Sequence, residues 1–286
     1  WLAGARPRTL PAAISPVLAA SGLAVYEGGF RPAAALLALV VSMALQIGVN
    51  YANDYSDGIR GTDAVRVGPL RLVGSGLARP AIVKRAALIC FAIAGLAGLV
   101  LVILTQHWWL LAVGVACVLA AWFYTGGRRP YGYLGLGELF VFVFFGLVAV
   151  CGTVYVQVGR VSLATVLTGV GIGALTCAIL VANNLRDIVG DAAVGKRTLA
   201  TRLGDARTRA FYLILVVVAA SMIIVVAAIT SVWALLGLVG LMLIIPAVRT
   251  VLTGGRGPDL IAVLKSTGLA ELVSAVGFAV GLILAH

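Results

Sequence analysis

Nine apolar runs near the length that crosses a bilayer follow one another along this chain, and that pattern leaves few folds open. They lie at 10–25, 33–52, 86–104, 108–124, 139–156, 163–185, 210–229, 232–251 and 260–285. About 20 helical residues span the hydrocarbon core, where each backbone N–H and C=O must be satisfied within its own segment. The expected fold is therefore an all-α integral membrane protein of nine transmembrane helices, with residues 1–286 as a single domain. Composition agrees: 62% of the residues are hydrophobic and only 11% charged, and the mean hydropathy is +1.12, far from the balance of a soluble domain.

Orientation follows from the basic residues. The N-terminal segment and the loops after runs 2, 4, 6 and 8, with the adjoining helix ends, hold 19 of the 21 Lys and Arg, leaving Arg31 and Arg160 for the opposite side. That bias predicts those loops to be cytoplasmic, with Lys84 and Arg85 as positive-inside anchors. The net charge of +11 then forms one basic surface, suited to anionic lipid headgroups or a phosphorylated substrate. A nucleic-acid role is excluded by the lack of an aromatic-interleaved basic domain outside the membrane. Cys90, Cys117, Cys151 and Cys177 lie in separate apolar runs without metal-ligand spacing and read as packing residues. The chain opens at Trp1, as a trimmed sequence would, and its first run, with Pro11 and Pro16, does not read as a cleaved signal peptide.

Against this apolar background two acidic segments stand out, each at the end of a run: Asn53-Asp-Tyr-Ser-Asp57 and Arg186-Asp-Ile-Val-Gly-Asp191. Asn53 and Asp57, like Asp187 and Asp191, are four residues apart, which puts both side chains on one helical face. Two such faces opposed across a cavity offer hard oxygen ligands to Mg²⁺ and, through it, to a diphosphate. Asn50, Asn53, Asp54 and Asp57 crowd one helix end and Asn183, Asn184, Asp187 and Asp191 another, more than capping requires. The long loops that follow, 56–79 and 186–209, are basic and glycine-containing, able to fold over such a site.

These motifs resemble those of the UbiA superfamily of intramembrane prenyltransferases. Asn53, Asp54 and Asp57 match its Asn-Asp-x-x-Asp signature; Asp187 and Asp191, followed by Lys196-Arg197-Thr198, match its Asp-x-x-x-Asp signature. Five further stretches are similar to the 1,4-dihydroxy-2-naphthoate polyprenyltransferase branch of menaquinone biosynthesis: Ala5-Arg-Pro-Arg-Thr-Leu-Pro-Ala-Ala, Val67-Gly-Pro-Leu-Arg-Leu-Val, Tyr124-Thr-Gly-Gly-Arg-Arg-Pro, Leu136-Gly-Glu-Leu-Phe-Val-Phe-Val-Phe-Phe-Gly and Asn183-Asn-Leu-Arg-Asp. One position departs: Gly61 stands where many superfamily members carry a third acid, and the nearest acid, Asp63, ranks below Asp57 as a ligand.

The resemblance implies a bundle around a central cavity, in a bacterial plasma membrane with the site open to the cytoplasm. It implies transfer of a polyprenyl group from its diphosphate to 1,4-dihydroxy-2-naphthoate, with CO₂ lost. Asp54, Asp57, Asp187 and Asp191 are the expected Mg²⁺ ligands, with Asn53 beside them in the catalytic set. Arg60, Arg129, Lys196 and Arg197 are the expected diphosphate partners, since Arg meets phosphate bidentately. Asn50, Tyr124 and Asn184 join the expected substrate-binding set. Arg71 is expected to meet an anionic group, either the naphthoate carboxylate or the diphosphate.

Some residues keep a plainer reading beside these. Tyr124 also fits an interfacial anchor. Glu138, at the start of the fifth run, stays open between a helix-dipole role and a site role. Asp205 reads as a helix cap, Glu271 as a buried residue with a neighbour or cavity to face, and His107 as a loop residue on the far side. A secondary transporter would share the polytopic, one-sidedly basic pattern but would gather its acids near the midplane. A prenyltransferase for 4-hydroxybenzoate, homogentisate or haem is the nearer alternative.

Overall fold

The structure is a computed structural model, and it describes residues 1–61 and 71–286. The readings placed on 62–70, among them the rank of Asp63 and most of the stretch from Val67, lie outside the described residues. Among the described residues the ordered elements are all helical. In chain order the helices are α1 (Leu2–Ala5), α2 (Pro11–Tyr26), α3 (Pro32–Arg60), α4 (Pro80–Thr105), α5 (Leu110–Phe123), α6 (Gly137–Val158), α7 (Leu163–Ala193), α8 (Leu199–Leu203), α9 (Asp205–Ile229), α10 (Val232–Leu252) and α11 (Pro258–Leu284). Proline opens α2, α3, α4 and α11, where its missing N–H costs nothing and its fixed φ suits the first turn.

The expected count of nine spans is not confirmed by length and hydropathy alone. Among the described residues seven helices are long and apolar enough to cross a membrane: α3, α4, α6, α7, α9, α10 and α11. Segment Leu2–Thr9 with α2, bent by 48°, makes an eighth if taken as one span. The run at 108–124 forms only the 14-residue α5, about 21 Å long at 1.5 Å per residue, because its flanks break into turns at Trp108–Trp109 and after Tyr124.

Helix α7 is the axis of the molecule. Of its most apolar window 78% is buried, against 22% for α3 and 28% for α9, and the reason is in its composition. Gly169, Gly171, Gly173, Ala174 and Ala178 leave no bulk on any side, so neighbouring helices approach its backbone closely. On one flank a core of Leu175, Val181, Leu185, Tyr212, Leu215, Ile244, Val251 and Leu260 joins α7 to α9, α10 and α11. On the other, Leu23, Val150, Val154, Ile172, Phe278 and Leu282 join it to α2, α6 and α11. A separate core of Tyr51, Leu72, Val83 and Phe91 pins α3 to α4.

The contact of α6 with α7 sets the depth of the site. Within α6 the backbone passes into a π-helix over Phe142–Val148. There a Cβ on Gly146 would lie 2.6 Å from the Gly169 carbonyl oxygen and 2.7 Å from Gly173 Cα, so only glycine lets the two helices meet at that point. That approach brings the start of α6 against the last turns of α7, where the second acidic segment sits.

Candidate active site

The first acidic segment occupies the last turns of α3, and four of its side chains are buried: Asn50, Asn53, Asp54 and Asp57. They do different work. Asn50 Nδ2 donates to the Ala5 carbonyl at 2.9 Å and to Thr9 Oγ1 at 3.0 Å, which staples the N-terminal segment to α3. Its amide nitrogen is engaged in that staple. Asn53 Oδ1 accepts from the Thr125 hydroxyl at 2.7 Å.

Asp54 has a structural task. It is 0% exposed, and its two oxygens accept the backbone N–H groups of Leu72 and Val73 at 2.8 and 2.9 Å. A carboxylate so enclosed and so bonded is a strut that holds the returning loop on α3. Asp57, one turn on, accepts from the Tyr133 hydroxyl at 2.6 Å and lies 3.6 Å from Arg71 Nη2.

The second segment ends α7. Arg186 lies flat on Asp187, with Nε and Nη2 each 2.7 Å from a carboxylate oxygen, and Nη2 also donates to Asn183 Oδ1 at 2.9 Å. Consecutive residues do not face each other on a helix, so the pairing is invisible in the sequence; the guanidinium reaches back because its side chain is 1% exposed and has no water to turn to. Asp191, one turn later, is 3.5 Å from Lys196 Nζ. The chain turns back there because the Lys196 N–H donates to the Asp191 carbonyl at 2.8 Å. Asn184 Nδ2 donates to Glu138 Oε1 at 2.8 Å.

What joins the two segments is Tyr133, which sequence reasoning missed. Its hydroxyl is on Asp57, its ring lies 4.9 Å from Lys196 Nζ and 5.6 Å from the Arg60 guanidinium, and its carbonyl accepts the Arg197 N–H at 3.1 Å. Tyr133 sits in a short 3₁₀ turn, Tyr131–Leu134, seated by the Gly132 N–H on the Tyr124 carbonyl at 3.0 Å. A Cβ on Gly132 would stand 2.7 Å from that carbonyl oxygen, so the Tyr-Gly-Tyr order is what lets the turn close. The Arg60 guanidinium donates to the carbonyls of Thr125 and Gly127, which ties α3 to the same loop. The one available signal for Tyr133 was an aromatic hydroxyl just after Arg128-Arg129-Pro130, 76 residues from its partner.

Tyr124 meets Tyr131 edge-on at 5.5 Å, and Tyr131 stacks on Phe140 at 4.0 Å. Burial pushes the Tyr124 phenol well up, and the charges of Glu138, Asp57 and Asp191 push the same way, so it remains protonated as a donor. Arg129 and Arg197 occupy exposed positions and are not brought onto an Asp side chain among the described residues. Nor do three His, Cys, Asp or Glu side chains converge on one point among the described residues.

Two carboxylate-bearing helix ends therefore face one aromatic hub, each with a cation of its own. Such an arrangement can neutralise a polyanion bound between them. The UbiA prenyltransferase family model matches residues 13–261. The chain is 55% identical over 279 residues to a 1,4-dihydroxy-2-naphthoate octaprenyltransferase of Mycobacterium tuberculosis, covering 98% of this chain and 95% of that one. Its fold is similar to that of a UbiA homologue from Aeropyrum pernix, with TM-score 0.72, 18% identity and 96% and 97% of the two chains covered. A UbiA homologue from Archaeoglobus fulgidus, bound to GPP and Mg²⁺, superimposes with TM-score 0.69 at 14% identity over 99% of each chain.

Proposed function

The chain belongs to the UbiA prenyltransferase family, and from that premise we propose that it transfers the polyprenyl group of a polyprenyl diphosphate to 1,4-dihydroxy-2-naphthoate, with release of diphosphate and CO₂. The observation that carries this reading is the Tyr133 hub. It sets Asp57, Asp191, Arg60 and Lys196 around one position at the ends of α3 and α7, where a leaving diphosphate needs both oxygen ligands and cations. The acceptor follows from the mycobacterial relative, whose similarity runs through both acidic segments.

Asp57, Asp187 and Asp191 would hold Mg²⁺. Their fit rests on donor chemistry: carboxylates are hard oxygen ligands of the kind Mg²⁺ takes. A three-carboxylate cage is not needed, because Mg²⁺ commonly takes one or two carboxylates together with substrate phosphates and water. When bound, the ion supplies Lewis-acid neutralisation of the departing diphosphate. The protein's own cations do the rest. Lys196 and Arg71 lie beside Asp191 and Asp57, and as the allylic C–O bond breaks they stabilise the charge left on the diphosphate oxygens.

Arg60, held across the Thr125 and Gly127 carbonyls, keeps the loop closed and water out while the allylic cation exists. The electron-rich ring carbon bearing the carboxylate then bonds to the allylic carbon. Loss of CO₂ returns the electron pair to the ring. Arg71 belongs to the diphosphate side of this site, because its guanidinium is 9% exposed and lies on Asp57. The acids sit at helix ends, not at the midplane, which favours this reading over a transporter.

The deciding experiment is transfer from one fixed polyprenyl diphosphate to a panel of aromatic acceptors by the purified protein. Transfer to 1,4-dihydroxy-2-naphthoate is expected above 4-hydroxybenzoate and homogentisate; preference for either of those would reject the acceptor assignment. Activity is expected to vanish in excess chelator and to return with Mg²⁺, and full turnover in chelator would sink the metal reading. We place both acidic segments on the cytoplasmic side of a bacterial plasma membrane, from the distribution of Lys and Arg. A cysteine introduced at Gly195 is expected to react with an impermeant thiol reagent only after the inner face is exposed. Labelling of intact cells would reverse the orientation.

A further inference from the structure

Glu138 is the acid of this site that diphosphate chemistry leaves unused. It opens α6 and is 5% exposed. One oxygen, Oε1, accepts from Asn184 Nδ2 at 2.8 Å. The other, Oε2, is buried without a hydrogen-bond partner. Its backbone carbonyl accepts from the Cys177 thiol at 3.1 Å, so the residue is held on α7 from two sides.

Its depth follows from helix geometry. Asn184 lies on the same face of α7 as Asp191, seven residues and two turns away, so Glu138 sits about 10 Å further along the helix axis, at 1.5 Å per residue. The diphosphate residues lie toward the end of α7, and Glu138 lies deeper along it. Its neighbours are aromatic. The Tyr124 ring edge and hydroxyl lie 3.4 and 3.6 Å from where a Cβ on Gly137 would stand, and Phe140, half a turn past Glu138, stacks on Tyr131. Four residues on, α6 passes into its π-helical segment, a local departure that proteins place often at functional sites.

A helix-dipole role would be served by the charge alone and does not account for an oxygen held dry and without a donor. Such an atom is costly until something supplies the hydrogen. We propose that Glu138 Oε2 accepts a hydrogen bond from the hydroxyl of the aromatic acceptor that is not adjacent to its carboxylate, the 4-hydroxyl. The proposal rests on the acceptor reading above. The cations near the end of α7 draw the acceptor's carboxylate toward them. The flat ring is then held at two of its substituents, and the carbon bearing the carboxylate is turned to the allylic carbon. Glu138 moves no proton in this role; it orients.

Glu138→Gln tests it, because Gln keeps an Oε1 for Asn184 and replaces the free acceptor with an NH₂ group that cannot accept. In the purified full chain, kcat/KM for 1,4-dihydroxy-2-naphthoate is expected to fall by about tenfold or more, the cost of one hydrogen bond to a charged group. KM for the polyprenyl diphosphate should stay within about twofold, and 1-hydroxy-2-naphthoate, which lacks the 4-hydroxyl, should inhibit parent and variant equally. A loss shared by both naphthoates, or by the diphosphate substrate, would overturn the contact and leave Glu138 as a support for Asn184. Should the variant fail to purify, the parent decides: equal affinity for the two naphthoates overturns the proposal, and about tenfold weaker binding of the monohydroxy compound supports it. A parent active on another acceptor but inert toward the naphthoate would reject the functional reading first, and the 4-hydroxyl contact with it.

Discussion

Asp191→Ala is expected to lower turnover by about a hundredfold or more while losing less thermal stability than Asp187→Ala. Asp191 is at the open end of α7, and its partner Lys196 is 19% exposed on a flexible stem, 3.5 Å away. When the carboxylate is removed, the ammonium can turn to water, so the stability cost is expected to be smaller than where a fully buried cation is stranded. What is lost is one oxygen ligand beside the leaving group, needed most in the transition state. Asp187→Ala should behave differently, although it is only one turn away. It would strand the Arg186 guanidinium, whose side chain is 1% exposed, and breaking a buried pair from one side costs about 3–5 kcal/mol. Activity and thermal stability measured together separate the two cases. Near-parent turnover in Asp191→Ala would remove that residue from the site.

Asp54→Ala is expected to fail in the opposite order, by stability first. Both carboxylate oxygens are spent on the Leu72 and Val73 amides inside a fully buried pocket, and an unsatisfied buried amide costs about 1–3 kcal/mol. With two amides stranded, the loop that carries Arg71 should detach from α3, lowering the melting temperature in detergent and abolishing turnover together. Asp54→Asn restores one acceptor and should recover part of the stability. The contrast with Asp57→Ala, three residues on, is the sharpest available: that change should remove turnover with a smaller stability loss. If Asp54→Ala melts like the parent yet is inactive, Asp54 belongs with the metal ligands after all.

These two acids show where sequence reading stops. Asp54 and Asp57 belong to one motif and were given one role, because spacing tells which face a side chain occupies and nothing of what meets it there. The Leu72 and Val73 amides, the Tyr133 hydroxyl and Arg71 are the partners that divide them, and they return from 14 to 76 residues away. Asn50 is a further case: its amide nitrogen meets Ala5 and Thr9, brought back 45 and 41 residues by the bend between α1 and α2. The count of spans is unconfirmed on a different ground. At 108–124 hydropathy continues past the point where turns at both ends stop the helix, which leaves α5 shorter than the other spans.

The membrane class, the helical fold and both acidic segments follow from residue order alone. They depend on hydropathy, helical period and charge, which are properties of neighbours along the chain. The hub at Tyr133, the clasp of Arg186 on Asp187, the strut at Asp54 and the dry oxygen of Glu138 belong to the tertiary structure. Each depends on groups distant in sequence, or on a burial that forces a side chain back onto its neighbour. That burial in turn rests on the glycine contacts that let α6 lie against α7.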